Sequence, residues 1–109
     1  MAKIYLASPY SHISEDVRQQ RFEAACVAAG KLILDGHIVF SPIAHSHNIH
    51  AVGGLPGSWD FWKNIDISFI KWADQVNVLM LQGWEDSQGV WAEIDIAKTM
   101  DKPVYYIEP

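Results

Sequence analysis

Two carboxylates stand where a helix would ordinarily carry an apolar side chain. Between Ser87 and Met100, the residues Gly89, Val90, Glu93, Ala97 and Met100 recur at spacings of three and four and share one helical face. Glu93 is the only charged member of that face. The preceding helical segment repeats the pattern, with Trp62, Asp66, Phe69 and Ala73 aligned and Asp66 the charged member. A carboxylate turned inward without a partner is costly, so each requires either a salt bridge or a chemical role. No Lys or Arg occupies the strand-end positions that would supply a bridge. Two carboxylates facing one pocket suit glycosyl chemistry. One attacks or stabilises an anomeric carbon, while the other handles the proton or holds a sugar hydroxyl.

The elements that must position these residues alternate along the chain. Lys3 to Ser8 is a short β-prone run stopped by Pro9. A helix is expected from Ser14, an N-cap, to Asp35, with Glu15 and Asp16 in its first turn, an inner stripe of Phe22, Cys26, Ala29 and Ile33, and Gly36 just past its end. His37 to Ser41 reads as a second strand ended by Pro42. From Ile43 to Ser58 no periodicity emerges, and the stretch reads as a glycine-rich functional loop. Trp59 to Ala73 reads as a helix. Gln75 to Leu81 reads as a strand buried on both faces, Ser87 to Met100 as a helix, and Pro103 to Ile107 as a last strand. This alternation predicts an α/β protein, a small parallel-sheet Rossmann- or flavodoxin-like three-layer sandwich formed by one domain over residues 1–109. Ligands in such sheets bind beyond the carboxyl ends of the strands. Ser8 to His12, Ser41 to His47 and Gly83 to Ser87 should therefore converge, which makes Ser8, Tyr10, His12 and His45 candidate ligand contacts.

Composition narrows the function classes. The chain has 109 residues, half of them hydrophobic and 19% charged, which excludes wholesale disorder. No apolar run is long enough for a transmembrane helix, and the start goes straight into a strand-like run instead of a signal peptide. The single Cys26, expected in the core, excludes an internal disulfide and a cysteine-based zinc site. A cytoplasmic setting is expected. Eight Lys and Arg against thirteen Asp and Glu give a net charge of -5, which argues against a nucleic acid polymer as partner but allows a single nucleotide in a pocket. Five tryptophans are many for this length; Trp62 is a candidate aromatic wall for a heterocycle.

These residues resemble a known family. The run Asp66-Ile67-Ser68-Phe69-Ile70-Lys71-Trp72-Ala73-Asp74, an apolar strand, and then Ser87-Gln88-Gly89-Val90-Trp91-Ala92-Glu93 looks like the nucleoside 2-deoxyribosyltransferase superfamily. The spacing is closest to its 2′-deoxynucleoside 5′-phosphate N-hydrolase branch and to small bacterial and phage relatives. The start Ile4-Tyr5-Leu6-Ala7-Ser8 also looks like that family's first strand. The resemblance implies that Glu93 is the nucleophile at C1′. It also implies that Asp66 assists leaving-group protonation, that Tyr5 orients the nucleophile, and that Ser87 and Gly89 bind the 5′ end of the ligand. The last role agrees with the amides that open a helix. The branch's arginine-bearing glycine-rich turn after the first strand is here Pro9-Tyr10-Ser11-His12, which leaves open the choice between nucleoside and 5′-monophosphate.

The expected activity is cleavage or exchange of the N-glycosidic bond of a (deoxy)nucleoside or its 5′-monophosphate, with no cofactor. A non-catalytic nucleotide-binding or sensing module on the same fold is the alternative, separated by an assay for base release. A metal-dependent hydrolase built from His45, His47, His50 and Asp66 is a third reading, separated by a chelator. The spacing of the histidines matches no helical metal pair, so no metal ligand is assigned. With several large aromatic residues on sheet-covering helices, a homodimer or higher homo-oligomer is expected.

Overall fold

A computed structural model describes residues Met1–Pro109. One four-stranded, all-parallel sheet organises the chain, with strands β1 (Lys3–Ala7), β2 (Ile38–Phe40), β3 (Gln75–Leu79) and β4 (Val104–Ile107) in the order β2-β1-β3-β4. The register pairs Ile4 with Val39, Leu6 with Asn77, and Val78 with Tyr106. The helices are α1 (Glu15–Leu34), α2 (Pro42–Gly53), α3 (Trp59–Trp72) and α4 (Gln88–Thr99), with a 3₁₀ turn over Trp84–Asp86.

The period of two in the central strands explains the layering. Leu6 and Leu79 point to one face and pack under α1 through Ala29, with Ala28 and Leu32 beside them. Tyr5, Ala7, Val76 and Val78 point to the other face, against Ile70 and Ala73 from the α3 side and Val90, Ile94 and Ala97 of α4. The result is the expected α/β sandwich, flavodoxin-like in its layers. A serine starts each of the four helices, and in three of them its side chain caps: Ser14, Ser41 and Ser87 accept from the amides of Val17, Ala44 and Val90. Gly36 follows α1 with φ 96°, a conformation that favours glycine.

Two expectations change. Residues 42–53 are helical, not a loop. Pro42 ends β2 but is also the first residue of α2, where its missing N–H is harmless. The other change is the buried stripe of α1, which is Ala25 and Ala29 rather than one through Cys26 and Ile33; both of those side chains are exposed. Small alanines let α1 lie close to the sheet, and the helix rotates to present them. None of the helices is long and apolar enough to cross a membrane.

Candidate active site

The carboxyl ends of the strands open onto a cavity of about 1040 Å³. The three segments expected to converge do so: Ser8, Tyr10, Ser11 and His12 come from the loop after β1, Pro42, Ile43, Ser46 and His47 from α2, and Gly83, Asp86 and Ser87 from the turn before α4. Trp62 and Asp66 enter from α3, and Gly89 and Glu93 from α4.

Glu93 lies one helical turn beyond Val90 on the inward face of α4 and is 5% exposed. It accepts a hydrogen bond from the hydroxyl of Tyr5, which reaches up from β1 and is itself fully buried. Asp66 follows Trp62 by one turn of α3 and is 7% exposed. Neither carboxylate is salt-bridged: the only ion pair of the chain joins Lys63 to Asp60 on the surface. Burial therefore dominates their titration. It pushes Glu93 up to about 8, with the Tyr5 hydrogen bond opposing the rise and the charge of Asp66 adding to it. Burial likewise raises Asp66 to about 6. Tyr5 is held well above the usual phenol range by burial and then by the charges of Glu93 and Asp66, so its hydroxyl stays a donor. With these values the pair carries one proton at neutral pH, held by Glu93, while Asp66 is ionised.

Two buried side-chain atoms in the chain have no hydrogen-bond partner, Asp66 Oδ1 and Ser8 Oγ, and both residues line this cavity. Buried polar atoms are almost always paired, so an unpaired acceptor and an unpaired hydroxyl on residues lining one cavity are places for ligand groups. At the start of α4, the Ser87 side chain caps Val90, and the first intrahelical bond runs from the Trp91 N–H to the Ser87 carbonyl at 3.2 Å. The amides of Gln88 and Gly89 precede that bond and face no helical acceptor. Trp62 is fixed in the wall by its Nε1, which donates to the Pro56 carbonyl at 2.7 Å.

Of the residues singled out in the sequence, Ser8, Tyr10, His12, Trp62, Asp66, Ser87, Gly89 and Glu93 line the cavity, and Tyr5 stands behind Glu93. His45 does not. Once residues 42–53 are helical, Ile43, Ser46, His47 and His50 form the cavity-facing side, and His45 is turned toward Phe40 and Phe69. Its assignment as a ligand contact is corrected accordingly. The three histidines have different neighbours, and no group of three or more His, Cys, Asp or Glu side chains is placed to hold a metal ion. Asp86 precedes the cap residue Ser87 and lies at the cavity, while Asp74 accepts from the Lys3 amide at 2.9 Å.

Sequence reading missed Arg21. Val17, Gln20, Arg21 and Ala24 line the cavity at helical spacing along α1. The Arg21 guanidinium donates to the Ser11 carbonyl at 3.0 Å and to the Gln82 carbonyl at 3.2 Å. It thereby ties the loop after β1 to the loop after β3. Gly83 has φ 88°, a backbone that favours glycine, and a Cβ there would lie 2.8 Å from Arg21 Nη2 and push the guanidinium aside. The signal was present in the 17/20/21/24 spacing, but the misplaced apolar stripe of α1 hid it.

The sequence profile of the family described as "Domain of unknown function (DUF1937)" matches residues 2–108. Among curated proteins, none matches the sequence. Among solved structures, the chain is similar to the 2-deoxyribosyltransferase of the psychrotolerant bacterium Bacillus psychrosaccharolyticus. Identity is 30% and the TM-score 0.69, over 99% of this chain and 73% of that one. A family match over nearly the whole length, together with this likeness in sequence and fold, means that the chain belongs to the DUF1937 family within the 2-deoxyribosyltransferase superfamily.

Proposed function

We propose that the protein cleaves or exchanges the N-glycosidic bond of a (deoxy)nucleoside or its 5′-monophosphate, with Glu93 as the nucleophile. The observation that supports this most is the setting of Glu93: buried, without a cation, bonded to one hydroxyl, and sharing a cavity with a second buried carboxylate. A purely structural glutamate would have a cation or several donors around it. The solved 2-deoxyribosyltransferase, described as a biocatalyst for nucleoside synthesis, supports the substrate class.

The chemistry balances on this chain's own residues. The Glu93 carboxylate forms a bond to C1′ as the C1′–N bond breaks, and the electron pair leaves with the base, which takes its proton from Asp66. In the return step, water or a second base attacks C1′. The ester bond to Glu93 breaks, and the proton of the incoming group passes to Asp66. Water gives hydrolysis and a base gives transfer. Before attack the one proton on the pair must sit on Asp66. In the free protein Glu93, titrating at about 8 against about 6 for Asp66, holds it, so binding of the ligand has to reverse that order. Tyr5 is a positioning residue: its hydrogen bond holds one carboxylate oxygen in place and favours the ionised form of Glu93. Ser8, Tyr10, His12, Trp62, Ser87 and Gly89 are assigned to the sugar and base. Exposed Phe61, Ile65 and Trp72 on α3 support a homo-oligomer, which light scattering tests.

The test is incubation of purified protein with a panel of nucleosides and 5′-monophosphates, with chromatography for released base and mass spectrometry for a sugar adduct on Glu93. Base release with an adduct is expected. Tight binding without release would transfer the reading to a nucleotide-binding module. A folded protein that neither binds nor cleaves any member would overturn both.

A further inference from the structure

The histidines of α2 play no part in this chemistry, yet one of them belongs to a chain of hydrogen bonds that begins in the cavity. Tyr10 Oη lies 2.7 Å from His47 Nδ1. His47 Nε2 lies 3.2 Å from Gln19 Oε1, and Gln19 Nε2 donates to a carboxylate oxygen of Glu23 at 2.9 Å. The outer end fixes the direction of the whole chain. A carboxylate only accepts, so the amide nitrogen of Gln19 faces Glu23 and its oxygen faces His47. That amide oxygen also only accepts, so His47 carries a proton on Nε2, and in the neutral ring Nδ1 offers its lone pair to Tyr10. The phenol proton of Tyr10 is therefore committed to His47. Packing holds this order in place. The His47 ring stacks on Phe22 with centroids 4.1 Å apart at 18°, and it meets the Tyr10 ring edge-on at 5.6 Å and 82°. Burial raises Tyr10 above the usual phenol range, which keeps the proton available for this bond.

Tyr10 and His47 both line the cavity. On the nucleoside reading, on which this inference rests, in-line attack places the leaving base on the side of C1′ away from Glu93. Asp66 meets the base at its C1′-bonded side, and the opposite edge of the base is left to the wall that Tyr10 and His47 line, from the loop after β1 and from α2, which packs on α1. The edge of the base thus meets a Tyr10 oxygen that has only lone pairs left to offer. We infer that Tyr10 acts on the ligand as an acceptor, so that the cavity selects a nucleobase bearing an exocyclic amino group over the same ring with a carbonyl at that position. Tyr10 is the specificity-determining residue and His47 its positioning residue.

Two matched pairs test this: 2′-deoxyadenosine against 2′-deoxyinosine, and 2′-deoxycytidine against 2′-deoxyuridine. The readouts are kcat/KM for base release by the intact protein and Kd on Glu93→Gln, followed by tryptophan fluorescence. An amino-over-carbonyl ratio of about tenfold or more is expected in at least one pair, in the range of leaving a buried acceptor unpaired or repelled. Tyr10→Phe should bring that ratio to within about twofold. His47→Phe releases the phenol proton and should carry the ratio toward or below one, while His47→Gln, whose amide oxygen can accept from Tyr10, should restore it. If either His47 variant fails to fold, Gln19→Leu cuts the chain at an exposed position and should lower the ratio in the same direction. A ratio near one in the unaltered protein, or a ratio that survives Tyr10→Phe, overturns the inference even if turnover is normal. Binding that follows the Tyr10 and His47 pattern without turnover sustains the inference and removes the catalytic reading. Absence of both binding and turnover for all four nucleosides overturns both.

Discussion

The two ends of the same sheet treat their polar groups in opposite ways. At the amino end, Lys102 donates to the carbonyls of Ile70, Lys71 and Ala73, closing the carboxyl terminus of α3, and Asp74 accepts from the Lys3 amide. Charge is met by a partner there, and α3 gains a cation where its dipole is negative. At the carboxyl end, Glu93 and Asp66 have no cation, and the two unpaired buried atoms, Asp66 Oδ1 and Ser8 Oγ, both lie at the cavity. The unpaired buried polar atoms thus occur at one end only. The contrast separates residues that hold the fold from residues held by it, and substitutions at the two ends should differ in kind.

The largest effect belongs to Glu93. Glu93→Ala should lower base release by about 10⁴-fold or more while circular dichroism and the cooperative melt remain. Asp66→Asn should slow the reaction by about 10²- to 10³-fold, and most for poor leaving bases, which single-turnover kinetics on a fast and a slow substrate would resolve. The pH profile of kcat/KM should be bell-shaped with limbs near 6 and 8. Below the first limb both carboxyl groups are protonated and the nucleophile is lost; above the second both are ionised and the acid is lost.

Stability should respond with a definite sign. Glu93 titrates at about 8 in the fold against an ordinary 4.5, so the folded state holds the proton more tightly than the unfolded chain. Its contribution is complete below about pH 4.5 and is lost as the pH rises through about 8. Glu93→Gln should therefore be more stable than the parent by about 2–4 kcal/mol above pH 8 and should flatten the dependence, as urea titrations at several pH values would show. Lys102→Met is the smallest and most localised change. It should destabilise by about 2 kcal/mol, through the uncapped end of α3, with kcat/KM unchanged. If Lys102→Met also disturbed catalysis, the division between the two ends would fail.

How far this division was legible in the sequence depended on whether a helix has an apolar face. α3 and α4 do, so Asp66 and Glu93 stood out as single charges among Trp62, Val90 and Ala97, and Ser87 announced the start of α4. α2 does not. Its only buried residue is Pro42, one side faces the cavity with His47 and His50, and no apolar period marks its length as helix. His45 was misassigned for that reason: a loop places no constraint on direction, but a helix turns successive residues by about 100°. In α1 the apolar residues occur on more than one side, with Val27, Ile33 and Leu34 exposed, so the true stripe of Ala25 and Ala29 carried too little contrast to be chosen. Arg21 disappeared with it. The Tyr5 contact to Glu93 spans 88 positions, and only the resemblance to a family pointed to it.

Arg21 has a consequence beyond the site it borders. Its guanidinium spans two loops that are distant in sequence, and Gly83 leaves the room it needs. Inserting or deleting a residue in either loop would draw one carbonyl off the guanidinium and leave the other behind. The lengths of the two loops are therefore not free to drift separately: among relatives that keep this arginine and glycine, a change of length on one side should be accompanied by a change on the other.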